Sequence, residues 1–285
     1  MRQSYLVLEA DGHSGHKQGL SPSKITVTNP DKAKDEEIPM ELSGVQQRLL
    51  SIRTANIHRL KSLVKRKDWM YMHLGDQTNG GKYIDDAKEL GSYKQTAIAY
   101  ANMVPILEMK PSCVRVAMST PSHAYGGDAD LVLHNQYRMH YPGLDIRTGW
   151  HGLTNFKGYR VEHKHHGPKG GYREWTKTNS ALLYLKSEAE YEMRQGRKPP
   201  DLYVRAHIHV NLMATYAYEW QGQWHETRLI TVPSMCGVGC YARQTVINLK
   251  SVTNGMIVVE MRDGRFYDTY RWTDTQDLRY EEVIE

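Results

Sequence analysis

The chain has 285 residues, 40% hydrophobic and 24% charged, the balance of an ordinary globular protein with enough apolar material for one sizeable core. No apolar run approaches the roughly 20 residues that cross a bilayer, so no membrane partner is expected, and a net charge of +5 favours an anionic partner only mildly. Three cysteines, Cys113, Cys236 and Cys240, are an odd count that points to reduced thiols in a cytoplasmic setting. Cys236 and Cys240 lack the second pair that a structural zinc site needs.

The predicted elements alternate strand and helix through the first two-thirds. Residues 5–9 are an apolar run closing at Asp11-Gly12, the signature of a short buried strand. Residues 17–42, with Pro22 and Pro30 among mixed charges, are expected to be a long loop. Ser43-Gly44-Val45-Gln46 has capping-box spacing, and Val45, Leu49, Ile52, Leu60, Leu63 and Val64 keep to one helical face. That helix runs out at Lys65-Arg66-Lys67, cations suited to a helix C-terminus.

A strand over 69–74 follows, then a helix over 93–109 with Pro105 inside it, and a strand over 114–118. Residues 159–161, 202–206, 215–220, 228–232, 257–261 and 266–272 are further strand candidates, with a helix over 180–194. The last third is antiparallel in rhythm, and 273–285 is an acidic, peripheral tail. No linker divides the chain, so residues 1–272 are expected to form a single domain. The expected fold class is α/β, two stacked mixed sheets flanked by helices.

Fourteen histidines are present, and several cluster where a predicted strand gives way to a loop. Asp11-Gly12-His13 follows the first strand, Gly75-Asp76 the second, and Ser122-His123 comes shortly after the third. His163-Lys164-His165-His166 and His207-Ile208-His209 follow two more. Adjacent strands bring such positions to one sheet edge, where ligands bind. Carboxylates and imidazoles together suit divalent ions such as Mn, Fe and Zn, and a carboxylate can bridge two of them.

This order of motifs resembles the calcineurin-like metallophosphoesterases over about residues 5–209, and the Ser119–His123 loop looks closest to a phage-type branch related to DNA-repair nucleases. The resemblance implies a four-layer sandwich holding two divalent ions, manganese first, with Fe, Zn, Ni or Mg as alternatives. It implies Asp11, His13, Asp76 and His209 at the first ion, and Asp76, His207 and His165 at the second, with His166 as the alternative to His165. His123 would be the catalytic histidine at the leaving oxygen. The implied activity is hydrolysis of a phosphate ester by in-line attack of a metal-bound hydroxide, in a bacterial or phage-infected cell.

One loop departs from the family. Ser122 stands where the pattern has a metal-ligating Asn, and Ala124 where it has an acid, which bears on occupancy of the second site. Asp128 or Asp130 is then the candidate to orient His123.

The remaining polar residues divide by context. His16, His73, His163 and His225 are expected to pack or face solvent, with His16 nearest the site mouth. Lys61, Lys65, Arg66 and Lys67 are read as a solvated helix end, whereas Lys164, Lys169 and Arg173 flank the site and can steer phosphate. Nineteen tyrosines against two phenylalanines fit a core with polar handles. Phosphodiester hydrolysis, with nucleic acid as substrate, is the first expectation. A phosphomonoesterase acting on a small molecule or phosphoprotein, and a non-catalytic metal-binding accessory protein, are the alternatives.

Overall fold

The computed structural model describes residues 2–29, 34–89, 91–168, 177–239 and 250–279. Its centre is a six-stranded sheet in the order β13-β12-β1-β4-β5-β6. The strands β1 (Gln3–Glu9), β4 (Asp68–His73), β5 (Cys113–Ala117) and β6 (Ile146–Gly149) run parallel, and β12 (Ser251–Arg262) and β13 (Arg265–Asp277) add an antiparallel hairpin beside β1. A second sheet has the order β10-β11-β9-β8-β7. There β8 (Tyr159–Lys164), β9 (Leu202–Arg205) and β11 (Gln223–Thr231) are parallel, with β7 (His151–Phe156) and β10 (Leu212–Trp220) antiparallel at the edges. The chain is therefore α/β with mixed sheets, as the alternation of elements implied.

Period-two side-chain alternation explains the layering. Leu6 and Leu8 of β1 and Met70 and Met72 of β4 meet Val161, Leu202, Val204 and Ile230 of the second sheet in one apolar core. The alternate residues Tyr5, Val7, Trp69 and Tyr71 face the opposite way, onto Leu60 and Val64 from helix α1 (Gly44–Leu63) and its C-cap, Met103 and Ile106 of α2 (Ser92–Leu107), and Leu133 and Tyr137 of α3 (Asp128–His140). On the far side of the second sheet, Tyr203 and Leu229 receive Ala181 and Leu185 of α4 (Lys177–Arg194).

Helix α1 begins with the expected capping box: Ser43 Oγ accepts from Gln46 N, and the Gln46 side chain accepts from Ser43 N. Pro105 lies in the last turn of α2, where a proline interrupts little of the helix. Five tyrosines, Tyr5, Tyr71, Tyr137, Tyr159 and Tyr203, are among the largest fully buried side chains. Tyr71 donates to Glu9 at 2.6 Å and Tyr137 to Gln77 at 2.8 Å, so these hydroxyls are bonded inside the protein rather than wetted.

Two segments differ from expectation. Residues 17–42 are not one long loop: β2 (Lys24–Asn29) and β3 (Lys34–Pro39) form an antiparallel two-stranded sheet. The β-branched run Ile25-Thr26-Val27-Thr28 outweighs the flanking prolines, and Ile25 is buried. The acidic tail is not wholly peripheral either. β13 extends to Asp277, its residues 273–277 pairing with 251–255 of β12, because Thr273 and Thr275 suit an edge strand while acids face water. The end of that tail, 280–285, lies outside the described residues. No helix among the described residues is long and apolar enough to cross a membrane.

Candidate metal centre

The parallel strands of the two sheets end at one edge, and the loops there are laced together. Leu74 N donates to Glu9 O, Asp11 N to Gly75 O, His13 N to Asp76 O and Ser14 N to Gln77 O, at 2.8 to 3.1 Å. This pairing carries the β1–β4 ladder beyond the strands and sets Asp11, His13 and Asp76 side by side. From the second sheet, Ala206 N donates to His165 O, and His207 N donates to Asp11 Oδ2 at 3.4 Å. The loop after β5 joins through Thr120, whose backbone N and hydroxyl donate to Asp76 Oδ1 at 2.8 and 3.1 Å.

Both carboxylates are thus half satisfied. Asp11 Oδ1 and Asp76 Oδ2 are buried with no hydrogen-bond partner, and imidazole nitrogens face them. His165 Nε2 is 3.1 Å from Asp76 Oδ2 and 3.9 Å from Asp11 Oδ1. His209 Nε2 is 3.8 Å from Asp11 Oδ1, and His123 Nε2 is 3.9 Å from Asp76 Oδ2. His13 and His209 oppose their Nε2 atoms at 3.4 Å, and His165 Nε2 lies 3.2 Å from His207 Nδ1.

Among the described residues, the ligand atoms fall into three groups of metal-binding dimension: Asp11, His13 and His209; His13, Asp76 and His123; and Asp76, His165 and His207. The first and third reproduce most of the two sets expected from sequence, although Asp76 joins the third and the His123 group rather than the first. Orphaned, buried carboxylate oxygens ringed by imidazole nitrogens are a donor set that divalent ions satisfy.

The backbone is strained where the site is built. Asp11, His13, Asp76, His207 and His209 all have positive φ, between 41° and 70°. Left-handed backbone costs a residue with a Cβ about 1–2 kcal/mol. Five such residues in one cluster mark it as a place where ligand geometry overrides local preference. Gly75, at φ +93°, is required for a further reason: a Cβ there would sit 2.8 Å from His165 Nδ1.

Two histidines have their tautomer fixed by carbonyls, which only accept. His165 Nδ1 donates to Leu74 O and His123 Nδ1 to Asn79 O, the latter at 2.8 Å, so each turns Nε2 toward the carboxylates. Electrostatics follows this arrangement. Burial opposes ionisation of His165, but the 3.1 Å approach of Asp76 and the charges of Asp76 and Asp11 push it up to about 9. Burial likewise resists a charge on Asp76, yet the nearness and charge of His165, with His13 and His123, hold its carboxyl far below the usual range. Asp11 is pushed up to about 7, by burial first and then by Asp76, with His165 opposing. Burial, before the neighbouring imidazoles, drives His207 down to about 4 and His209 to about 3. His207 and His209 are thereby kept neutral, the state in which imidazole ligates a cation, whereas His165 must give up a proton to do so.

The remaining sequence expectations divide. His166 packs on His207 and His165, with ring centroids 4.4 and 5.2 Å away, but is exposed and belongs to none of the three groups. Neither Asp128 nor Asp130 orients His123. Asp130 instead receives Ser119 N and Oγ at 2.7 and 2.8 Å, because the start of α3 brings it under the β5 loop, while Asp128 is exposed in the first turn of that helix. Ser122 Oγ donates to Thr120 Oγ1 at 3.4 Å and so reaches Asp76 only through Thr120.

His16 is buried against Asp86 and Cys236, its ring 6.4 Å from His13. His73 is buried beside a cavity lined by Arg53 of α1 and Asn102 of α2. Lys164 pairs with Glu188 at 3.8 Å, which ties it to α4; Lys169, Arg173 and Cys240 lie outside the described residues.

Sequence reasoning missed the supports. Gln95 of α2, fully buried, accepts from Asn79 N and Gly80 N at 3.1 and 2.8 Å and donates to Gly80 O at 3.2 Å. It thereby holds the carbonyl that orients His123. The sequence carried no signal for it, since Gln95 sits in a polar first turn beside Ser92, Lys94 and Thr96. Fold and site together define an α/β protein whose clustered His and Asp side chains can hold metal ions. No protein-family model matches the chain, and no curated protein matches it.

Proposed function

We propose that the chain is a metal-dependent phosphoester hydrolase acting as a phosphodiesterase, with Asp11, His13, Asp76, His165, His207 and His209 holding two divalent ions. The observation that carries this reading is the pair of buried, unpartnered oxygens, Asp11 Oδ1 and Asp76 Oδ2, set among imidazole nitrogens with Asp76 common to two ligand groups. Divalent ions, manganese foremost, supply Lewis acidity toward a phosphoryl oxygen and acidify water near neutral pH.

The protein's own groups do the rest. Thr120 occupies Asp76 Oδ1 and leaves Oδ2 as the atom available to both groups. His165, locked by Leu74 O, keeps its Nε2 on the two acids. His123, locked by Asn79 O, stands outside the two expected ligand sets with a ring nitrogen free to hold a proton for the departing oxygen. The order of motifs, similar to that of calcineurin-like metallophosphoesterases, supports the same chemistry.

Hydrolysis of bis-p-nitrophenyl phosphate and p-nitrophenyl phosphate, side by side in Mn2+ and in chelator, tests the reading. Chelator-sensitive turnover of the diester above the monoester is expected. Preference for the monoester replaces the proposal with a phosphomonoesterase. Metal binding without turnover of either ester leaves an accessory metal-binding protein, with the Ser122 substitution as its physical cause.

A further inference from the structure

The loop that follows Asp76 carries side chains for which ion binding has no use. Tyr83, half-buried, packs its ring at 30° to that of His123 with centroids 5.4 Å apart. Lys82 is exposed and holds Nζ 5.5 Å from the centroid of Tyr83. Tyr125, also half-buried, meets the same loop from its other side, since a Cβ on Gly81 would sit 3.1 Å from its ring. Gly80 lets the loop press this close: at φ +74°, any Cβ there would overlap Ser122 O. Aromatic rings and a cation are thus gathered at the rim of the centre, beside His123.

An aromatic ring next to a cation is the combination that binds single-stranded nucleic acid, the ring meeting a base and the cation a backbone phosphate. Successive contacts lead from Asp76 to His123 at 3.9 Å, from His123 to Tyr83 at 5.4 Å and from Tyr83 to Lys82 at 5.5 Å. A small phosphoester seated at the acids leaves Lys82 untouched. A chain that continues beyond the reacting phosphate on the side of His123 reaches both residues. Bases in a single strand are free to stack on such a ring, whereas those in a duplex are already stacked on each other.

We infer that Lys82 and Tyr83 form the subsite for the leaving-side nucleotide of a single-stranded nucleic acid, Tyr83 stacking on its base and Lys82 meeting its next phosphate. This rests on the hydrolase reading in taking His123 as the group at the leaving oxygen.

The test is fluorescence anisotropy of a fluorescein-labelled phosphorothioate oligothymidylate on the full chain in Mn2+, alongside turnover of bis-p-nitrophenyl phosphate. Tyr83→Leu is expected to weaken binding about tenfold or more, and Tyr83→Trp to restore it. Lys82→Ala is expected to weaken binding and to flatten the slope of log affinity against log salt by about 0.7, the share of one single-strand phosphate contact. Binding by both Tyr83→Leu and Lys82→Ala within twofold of the parent overturns the subsite, as does a parent that binds no oligonucleotide. If diester turnover persists in either of those cases, the hydrolase reading stands and only the subsite falls. Oligonucleotide binding that depends on Tyr83 without any diester turnover does the reverse.

Discussion

At the scale of single residues, the centre depends on oxygens that the protein leaves unsatisfied. Asp76, like His13, belongs to two of the three groups, whereas His207 belongs to one, so removing Asp76 should disturb more than one position. Asp76→Ala is expected to lower turnover by about a hundredfold beyond the loss in His207→Ala, and to reduce bound manganese more than that variant does. Metal content by mass spectrometry and kcat on the diester check this together; equal losses in the two variants would remove Asp76 from its bridging position. The ligands themselves were legible in the sequence because Asp-x-His, Gly-Asp and His-x-His each follow an apolar run, and a strand end is a place that sequence can locate. What holds them was not. Asn79 and Leu74 act through backbone carbonyls, which every residue possesses, and the left-handed φ of Asp11, His13, Asp76, His207 and His209 leaves no mark on a chain of ordinary L-residues.

At the scale of elements, helix α2 supports the segment that orients His123 through one side chain. Replacing Gln95 by Leu keeps the volume but strips partners from Gly80 N and Gly80 O, both in a buried segment. The expected cost is about 1–3 kcal/mol, seen as a lower urea midpoint at unchanged slope. Under the proposed reading, in which His123 assists the leaving oxygen, turnover should fall further for alkyl esters than for p-nitrophenyl esters, because only a poor leaving group needs that assistance. A midpoint equal to the parent's would mean that the clamp contributes nothing. The elements that escaped sequence reading are short or polar. β6 has four residues, and α3 shows its buried face only at Ala129, Asp130, Leu133 and Tyr137 among many polar neighbours. The β2–β3 hairpin was hidden by prolines that lie at or beyond its strand ends.

For the whole molecule, buried histidines couple stability to acidity. Burial pushes His16 and His73 down to about 4 from an ordinary 6.5, against the pull of Asp86 on the first and Glu9 on the second. The unfolded chain therefore takes up protons below pH 6.5 that the folded chain refuses until about pH 4. The contribution of these two histidines to stability is complete above that window and declines as pH falls through it. Glu9 acts in the same direction lower down: burial opposes its charge, but Arg53, bonded to both its oxygens at 3.1 Å, and Tyr71 keep it ionised below the ordinary carboxylate range. In chelator, the urea midpoint should drop steadily from pH 7.5 to pH 4.5; a flat profile would show these groups to be protonated without cost. Two mixed sheets with an apolar core were legible in outline from the apolar strands alternating with helices. The pairing of β1 with β12 was not, because nothing local in either strand names so distant a partner.

That last pairing gives the molecule a temporal property. Leu8 lies against Ile257, and His207 reaches back to Asp11. During synthesis, β1 has one neighbour missing until the far end of the chain emerges from the ribosome, and the first ligand group lacks His209 until late in translation. A nascent chain thus holds its acids and early histidines without a finished centre, and the complete ligand cluster forms only as a late event. A product terminated before His207 would lack a ligand from two of the three groups.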